Sequence, residues 1–189
     1  MYVNDTGFAS VTEILRPFID DRWFSDEAAE RGSAIHSAAA AFLQGLFVPP
    51  LKPEWRGYFE SFKKWSDIID EVVLIEERLT DTAIGFTGQA DMIIRIKGDE
   101  GYSLPDIKTG QSKLDIWMVQ SAAYRHLAKT VKGIDTIRGF PVRPKPDGSG
   151  VLPVGDYARN YAKDFNDFVS ALNCHKRFCK NKKEVANHG

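Results

Sequence analysis

Apolar positions switch between helical and strand spacing along this chain, and each switch marks an element. Ile35, Ala38, Ala39 and Phe42 recur at intervals of three and four, the spacing of one helix face. Ser25 stands ahead of this run as an N-cap. Asp26 and Glu27 complement the positive end of the helix dipole, and Gly45 offers a stop. Pro49-Pro50 breaks the chain, and Pro53 opens a second helix with the stripe Trp55, Tyr58, Phe59, Phe62, Trp65 and Ile69. Residues 72–79 are rich in aliphatic and β-branched side chains and read as a strand, and 86–97 with 102–108 read as a hairpin around Gly98-Asp99-Glu100-Gly101. A helix follows at about 113–130, with Trp117, Gln120, Ala123, Tyr124 and Leu127 along one side. Residues 137–154 read as another hairpin turning at 146–150, and a last helix from about Asp156 buries Tyr161, Phe165, Phe168 and Leu172. Residues 1–24 read as irregular with some local helix, ending in Trp23-Phe24. This order predicts one α/β domain over residues 1–189, a central mixed β-sheet flanked by helices, with a basic C-terminal tail from about 175.

Strand alternation decides which polar side chains of the first hairpin meet. Asp91 shares a strand face with Ile93, and Asp106 shares one with Lys108. With residues 98–101 as the loop, position 91 lies opposite 108 and 93 opposite 106, so Asp91, Asp106 and Lys108 point the same way. A slip of one residue would separate them. Two carboxylates beside a lysine make a site for a hard cation with a charged helper. That set suits hydrolysis of a phosphodiester, in which a metal activates water and the developing anion needs neutralising.

Composition narrows the class. With 43% hydrophobic and 27% charged residues the chain is ordinary for a soluble globular protein. No apolar run approaches the length of about 18 residues that a membrane span needs, so no membrane is expected as a partner. Met1-Tyr2-Val3-Asn4-Asp5 lacks the basic and apolar regions of a signal peptide. Cys174 and Cys179 make no disulfide framework, and reducing cytoplasm is the expected compartment. The net charge of −1 hides an asymmetry: residues 1–124 hold 12 Lys/Arg against 20 Asp/Glu, and residues 125–189 hold 13 against 6. The basic third, including His175-Lys176-Arg177 with Lys180, Lys182 and Lys183, is either a surface for a phosphate backbone or a solvated tail.

Four segments in order resemble the PD-(D/E)xK nuclease superfamily, in its RecB-like branch of phage and CRISPR-associated exonucleases. Arg31-Gly32-Ser33-Ala34-Ile35-His36 looks like that branch's helical Gly-x-x-x-His, and Gly88-Gln89-Ala90-Asp91 like its Gly-x-x-Asp strand. Asp106-Ile107-Lys108-Thr109-Gly110 looks like its Asp-x-Lys-Thr-Gly strand, and Gln120-Ser121-Ala122-Ala123-Tyr124 like its Gln-x-x-x-Tyr helix. The resemblance runs over most of the chain and implies a restriction-endonuclease-like core. Iron–sulfur members of the branch need four cysteines; with two here, both late, no cluster is expected. No Gly-x-x-x-x-Gly-Lys-Ser/Thr loop is present, so a helicase motor would be a separate chain.

The resemblance implies a role for each residue. Asp91 and Asp106 would hold Mg²⁺ or Mn²⁺ with a backbone carbonyl such as that of Ile107. Lys108 would sit at the attacking water or steady the transition-state charge. His36 would add an imidazole nitrogen, tilting preference towards Mn²⁺. Glu76 or Glu77 would supply another acid; they face opposite sides of a strand, and spacing favours Glu76. Gln120 and Tyr124, at i and i+4, would hold the lysine or touch substrate, or else pack over the sheet. The expected function is a metal-dependent DNA nuclease of phage or bacterial recombination and repair, with exonuclease favoured and endonuclease action left open. The alternatives are a silent nucleic-acid-binding module of the same fold, or a module dependent on a separate recombination or helicase protein. The motifs fix neither polarity nor strand preference and leave RNA open as a substrate.

Overall fold

A computed structural model describes residues 7–19, 25–110, 115–153, 155, 157 and 160–179. Helix α1 (Val11–Leu15) is short and begins on a capping box: Ser10 accepts from the Glu13 N–H, and the Glu13 carboxylate accepts from the Ser10 N–H. Helix α2 (Asp26–Leu43) starts on the Ser25 cap, and Gly45 leaves it at φ +67. A 3-10 turn (Pro53–Trp55) leads into α3 (Arg56–Ser66), and Ile69 begins the first strand rather than extending the helical stripe. Strands β1 (Ile69–Ile75), β2 (Arg78–Asp81), β3 (Phe86–Gln89), β4 (Met92–Ile96) and β5 (Tyr102–Ile107) follow. After them come α4 (Ile116–Lys132), β6 (Thr136–Pro144), β7 (Val151–Leu152) and α5 (Tyr161–Phe178). Positions 113, 114 and 156, where two helices were expected to begin, lie outside the described residues, as do Trp23 and Phe24.

A five-stranded sheet, ordered β1-β4-β5-β6-β7, is mixed: β6 runs parallel to β5 and the other pairs are antiparallel. Helix α4 is the crossover between the parallel pair. Strand alternation divides the interior into two cores. Met92, Ile94, Ile107 and Val142 pack with Ile35, Ala38, Ala39, Tyr58 and Phe62 of α2 and α3. Ile93 and Leu104 pack with α1, α4 and α5 through Ile14, Ala123, Leu127, Phe168 and Leu172. The molecule is thus an α/β domain with helices on both sheet faces. No helix among the described residues is long and apolar enough to cross a membrane.

Three strand expectations are corrected. Residues 72–79 are not one strand: the chain turns at Glu76, and β2 pairs with β3 in a separate two-stranded sheet. The opposite strand also breaks, so that 86–97 becomes β3 and β4 with Asp91 in a bend between them. The hairpin register also differs by two residues from that expected, pairing Arg95 with Tyr102 and Ile94 with Ser103. The connection is wider because the Lys97 N–H donates instead to Ile68 O at 2.9 Å, and Asp99 pairs with Arg138 of β6. A shift of two preserves the alternation of faces.

Gly88 marks where α4 meets the small sheet. A Cβ there would stand 2.8 Å from both Leu127 Cδ1 and Tyr124 Cε1. Gly88→Ala is therefore expected to cost about 2 kcal/mol, read as a melting temperature about 6 °C lower. An unchanged melting temperature would mean that α4 yields without cost.

Candidate active site

The bent ribbon brings two acids together. Glu76 adopts φ +50, a left-handed conformation that costs a non-glycine residue about 1–3 kcal/mol. Its N–H donates to Asp91 O at 3.0 Å, so both strands break at one place. Gln89 Nε2 donates to Glu76 Oε2 at 2.5 Å, holding the carboxylate at the corner. Arg78 in turn donates to Gln89 Oε1 at 3.2 Å.

His36 reaches this corner from α2. Its Nδ1 lies 3.0 Å from Asp91 Oδ1 and its Nε2 lies 2.9 Å from Ile107 O. The other Asp91 oxygen accepts from the Ile107 N–H at 2.6 Å. The end of β5 is thereby tied to Asp91 and to His36 through both backbone groups of one residue. Both partners of the imidazole are acceptors, so it donates from both nitrogens and is an imidazolium in this arrangement. Gly32 packs near Thr109; a Cβ there would meet Thr109 Oγ1 at 3.7 Å, an ordinary contact.

On the α4 side, Asp106 and Lys108 share the face of β5 that the alternation assigns them. Lys108 Nζ lies 2.5 Å from Asp106 Oδ2 and donates to Gln120 Oε1 at 2.7 Å. Gln120 Nε2 donates to the Tyr124 hydroxyl oxygen at 3.2 Å. The i, i+4 pair on α4 thus holds the lysine, and packing is not its sole role.

The electrostatics follow from crowding charge in a buried place. Asp91 and Asp106 are 9% and 7% exposed. Burial pushes Asp91 up, but His36, Lys108 and the Ile107 N–H outweigh it and hold its carboxyl below the usual range. Asp106 is raised by burial, with Lys108 opposing and Asp91 reinforcing. Glu76 is also raised, by burial and then by the Asp91 charge. Burial disfavours the charged imidazole, yet Asp91 and Asp106 overcome this and raise His36 to about 9. A raised folded-state value stabilises the protein fully below the ordinary 6.5 and is lost as pH climbs through about 9. In chelator, stability is therefore expected to fall between those limits by up to about 3 kcal/mol. Denaturant melts at pH 6.5 and 9 should show the fall in wild type and a flatter profile in His36→Gln.

These residues fit a divalent cation. His36, Glu76 and Asp91 offer ligand atoms that lie within 4.8 Å of one another. Adjacent ligands about 2.1 Å from an octahedral ion stand about 3 Å apart, and His36 Nε2 and Ile107 O are separated by 2.9 Å. The donors are oxygens with one imidazole, and a cation beside Asp106 and Glu76 would offset the burial and the Asp91 charge that raise both.

Other expected residues lie elsewhere. Glu77 points away and pairs with Lys132 at the end of α4. Lys176 donates to Ile84 O at the β2–β3 turn, Arg177 lies over the Phe178 ring, and Lys180, Lys182 and Lys183 are outside the described residues. Gln89 has a positioning role that sequence reasoning missed, although it stands inside the Gly-x-x-Asp segment. Asp81, which accepts from the Ala83 and Ile84 N–H groups and pairs with His126 at 2.8 Å, was also missed. No periodicity relates those two positions. Compared with protein-family models and with curated proteins, the chain finds no match.

Proposed function

We propose that this chain is a metal-dependent nuclease of the PD-(D/E)xK type, RecB-like branch, hydrolysing phosphodiester bonds in DNA. The observation that supports this best is the meeting of two separate sets at one end of the sheet. One is His36, Glu76, Asp91 and the Ile107 carbonyl; the other is Asp106, Lys108, Gln120 and Tyr124. His36, Glu76, Asp91 and the Ile107 carbonyl would hold Mg²⁺ or Mn²⁺, with Asp106, the other acid expected as a ligand, beside them on Lys108. When bound, the cation would activate water and neutralise charge on the phosphate.

The chain's own groups do the rest. Lys108 has three N–H donors, of which Asp106 and Gln120 take two. The third has no hydrogen-bond acceptor among the described residues and would serve a non-bridging phosphate oxygen or the incoming water, where it offsets the charge of the transition state. Gln120, fixed by Tyr124, keeps the ammonium from swinging wholly onto Asp106. His36 holds Asp91 and the end of β5 in register. Recombination or repair of phage or bacterial DNA is the proposed setting, with a helicase or annealing protein as a separate partner and the cytoplasm as the compartment.

Incubation of the pure protein with labelled linear and circular DNA, in Mn²⁺, Mg²⁺ or chelator, tests the reading. Metal-dependent loss of the linear substrate is expected. DNA binding with no cleavage in either metal would instead assign a silent binding module.

A further inference from the structure

Arg31 stands where α2 comes against the segment that carries Lys108. It precedes Gly32, on which a Cβ would meet Thr109 Oγ1 at 3.7 Å, and Thr109 follows Lys108 directly. Arg31 is five residues ahead of His36, about 7.5 Å along the helix axis. That is about two nucleotide rises of a duplex strand. Ile35, one turn on at i+4, packs in the same core as Tyr58 of α3, so Arg31 leaves α2 on the side of α3. Its Cζ lies 5.2 Å from the centre of the Tyr58 ring, within reach of a cation–π contact.

An ordinary helix arginine would take a nearer partner. Glu27 stands four residues earlier, the spacing that favours a Glu–Arg pair, yet no such pair forms. Glu30 is taken by Lys52 at 2.9 Å. Arg95 and Arg138 each hold an acid, whereas Arg31 makes no hydrogen bond or ion pair among the described residues. Its Nε is buried without a partner, and a buried donor left unpaired carries a cost that calls for a reason. The residue as a whole is half-buried, and its terminal nitrogens, unlike Nε, are not closed off. Stacking on Tyr58 therefore fixes the plane of the guanidinium while its outer fork stays open. A preset planar fork with no carboxylate in it suits an oxyanion that can accept two parallel hydrogen bonds. Beside a site proposed to take a polyanion, that group is a backbone phosphate.

We propose, on the nuclease reading above, that Arg31 binds a DNA backbone phosphate one or two nucleotides from the scissile one. The test places Arg31→Gln and Arg31→Lys in an Asp106→Asn background, which removes cleavage. Binding of a fluorescein-labelled linear duplex in Mn²⁺ is then read by anisotropy. Arg31→Gln should weaken binding about tenfold and lower the slope of log Kd against log salt by about one, as loss of one phosphate contact requires. Arg31→Lys should keep the salt slope and recover only part of the affinity, because an ammonium neither forks nor stacks flat. Duplexes with a single methylphosphonate in place of one phosphate then locate the contact. Neutralising one flanking position should weaken binding when Arg31 is present and change nothing in Arg31→Gln. Both variants should melt within about 4 °C of their background, since only the ring contact is lost. Affinity and salt slope untouched by Arg31→Gln, or additive losses at every methylphosphonate position, would overturn the proposal and leave the nuclease reading standing on wild-type cleavage. Wild type that cleaves no DNA, with binding still dependent on Arg31, would overturn the nuclease reading and keep Arg31 as a phosphate contact. No binding of the duplex at all would overturn both.

Discussion

Asp106→Asn is expected to reduce DNA cleavage by about 10³-fold or more in either metal, and Lys108→Ala by a comparable factor. The two variants should part company in stability. Asp106 is raised by burial and by Asp91, so its charge is already disfavoured. Replacing it with asparagine relieves repulsion and leaves Lys108 its bond to Gln120. Lys108→Ala does the reverse: it strands the Asp106 carboxylate beside Asp91 without its ammonium partner, leaving both acids to the one His36 imidazolium. Breaking a buried pair from one side costs about 3–5 kcal/mol, so Lys108→Ala should melt well below wild type in chelator and recover when Mn²⁺ is added. The double variant should be more stable than Lys108→Ala alone. Single-turnover assays and thermal melts with and without metal separate these effects. A Lys108→Ala protein as stable in chelator as Asp106→Asn would show that the pair does not balance charge as described.

Removing the imidazole should change which metal the protein takes up. His36→Ala leaves a set of oxygens, which favours Mg²⁺, whereas the wild type with its nitrogen favours Mn²⁺. The variant should therefore lose about 100-fold in Mn²⁺ affinity and much less for Mg²⁺, with activity partly restored by excess metal. Asp91 also loses its Nδ1 partner in this variant, so some loss for both ions is expected. Because Nε2 now donates a proton to Ile107 O, uptake of an ion by wild type below about pH 9 should release that proton, and the variant should release fewer. Calorimetry in two buffers of different ionisation enthalpy reads both quantities. Equal losses for the two ions would reduce His36 to a positioning residue for Asp91.

Much of the architecture was legible because the elements carry their own periods. The Ser25 cap and the Gly45 stop bracket α2, and Ile93 and Leu104 alternate with Met92, Ile94 and Ile107 as two-sided burial requires. The break at Glu76 was not legible. Val72 to Leu79 contains no glycine or proline, and a left-handed glutamate is tolerated only where the Asp91 carbonyl and Gln89 fix it from across the ribbon. The Ser10–Glu13 capping box was a readable signal that went unused. Within the site, the Asp106–Lys108 pairing follows from alternation alone. The link from Lys108 to Gln120 crosses from strand to helix, and only the resemblance, not spacing, could suggest it.

The contacts of His36 span 55 residues to Asp91 and 71 to Ile107. They fasten the α2–α3 layer to the end of a sheet whose other face carries a separate core. Closing loops of that size is repaid late in folding, so the ligand set is completed only after both layers have docked. Any opening that lifts α2 from the sheet removes His36 while leaving Asp106, Lys108 and Gln120 on their own contiguous segment. Cation binding should accordingly slow amide exchange throughout α2 and the edge of β5 far more than in α4 or α5. An ion held at one end of the sheet would act as a clasp on half of the molecule, and metal occupancy would report whether that half is closed.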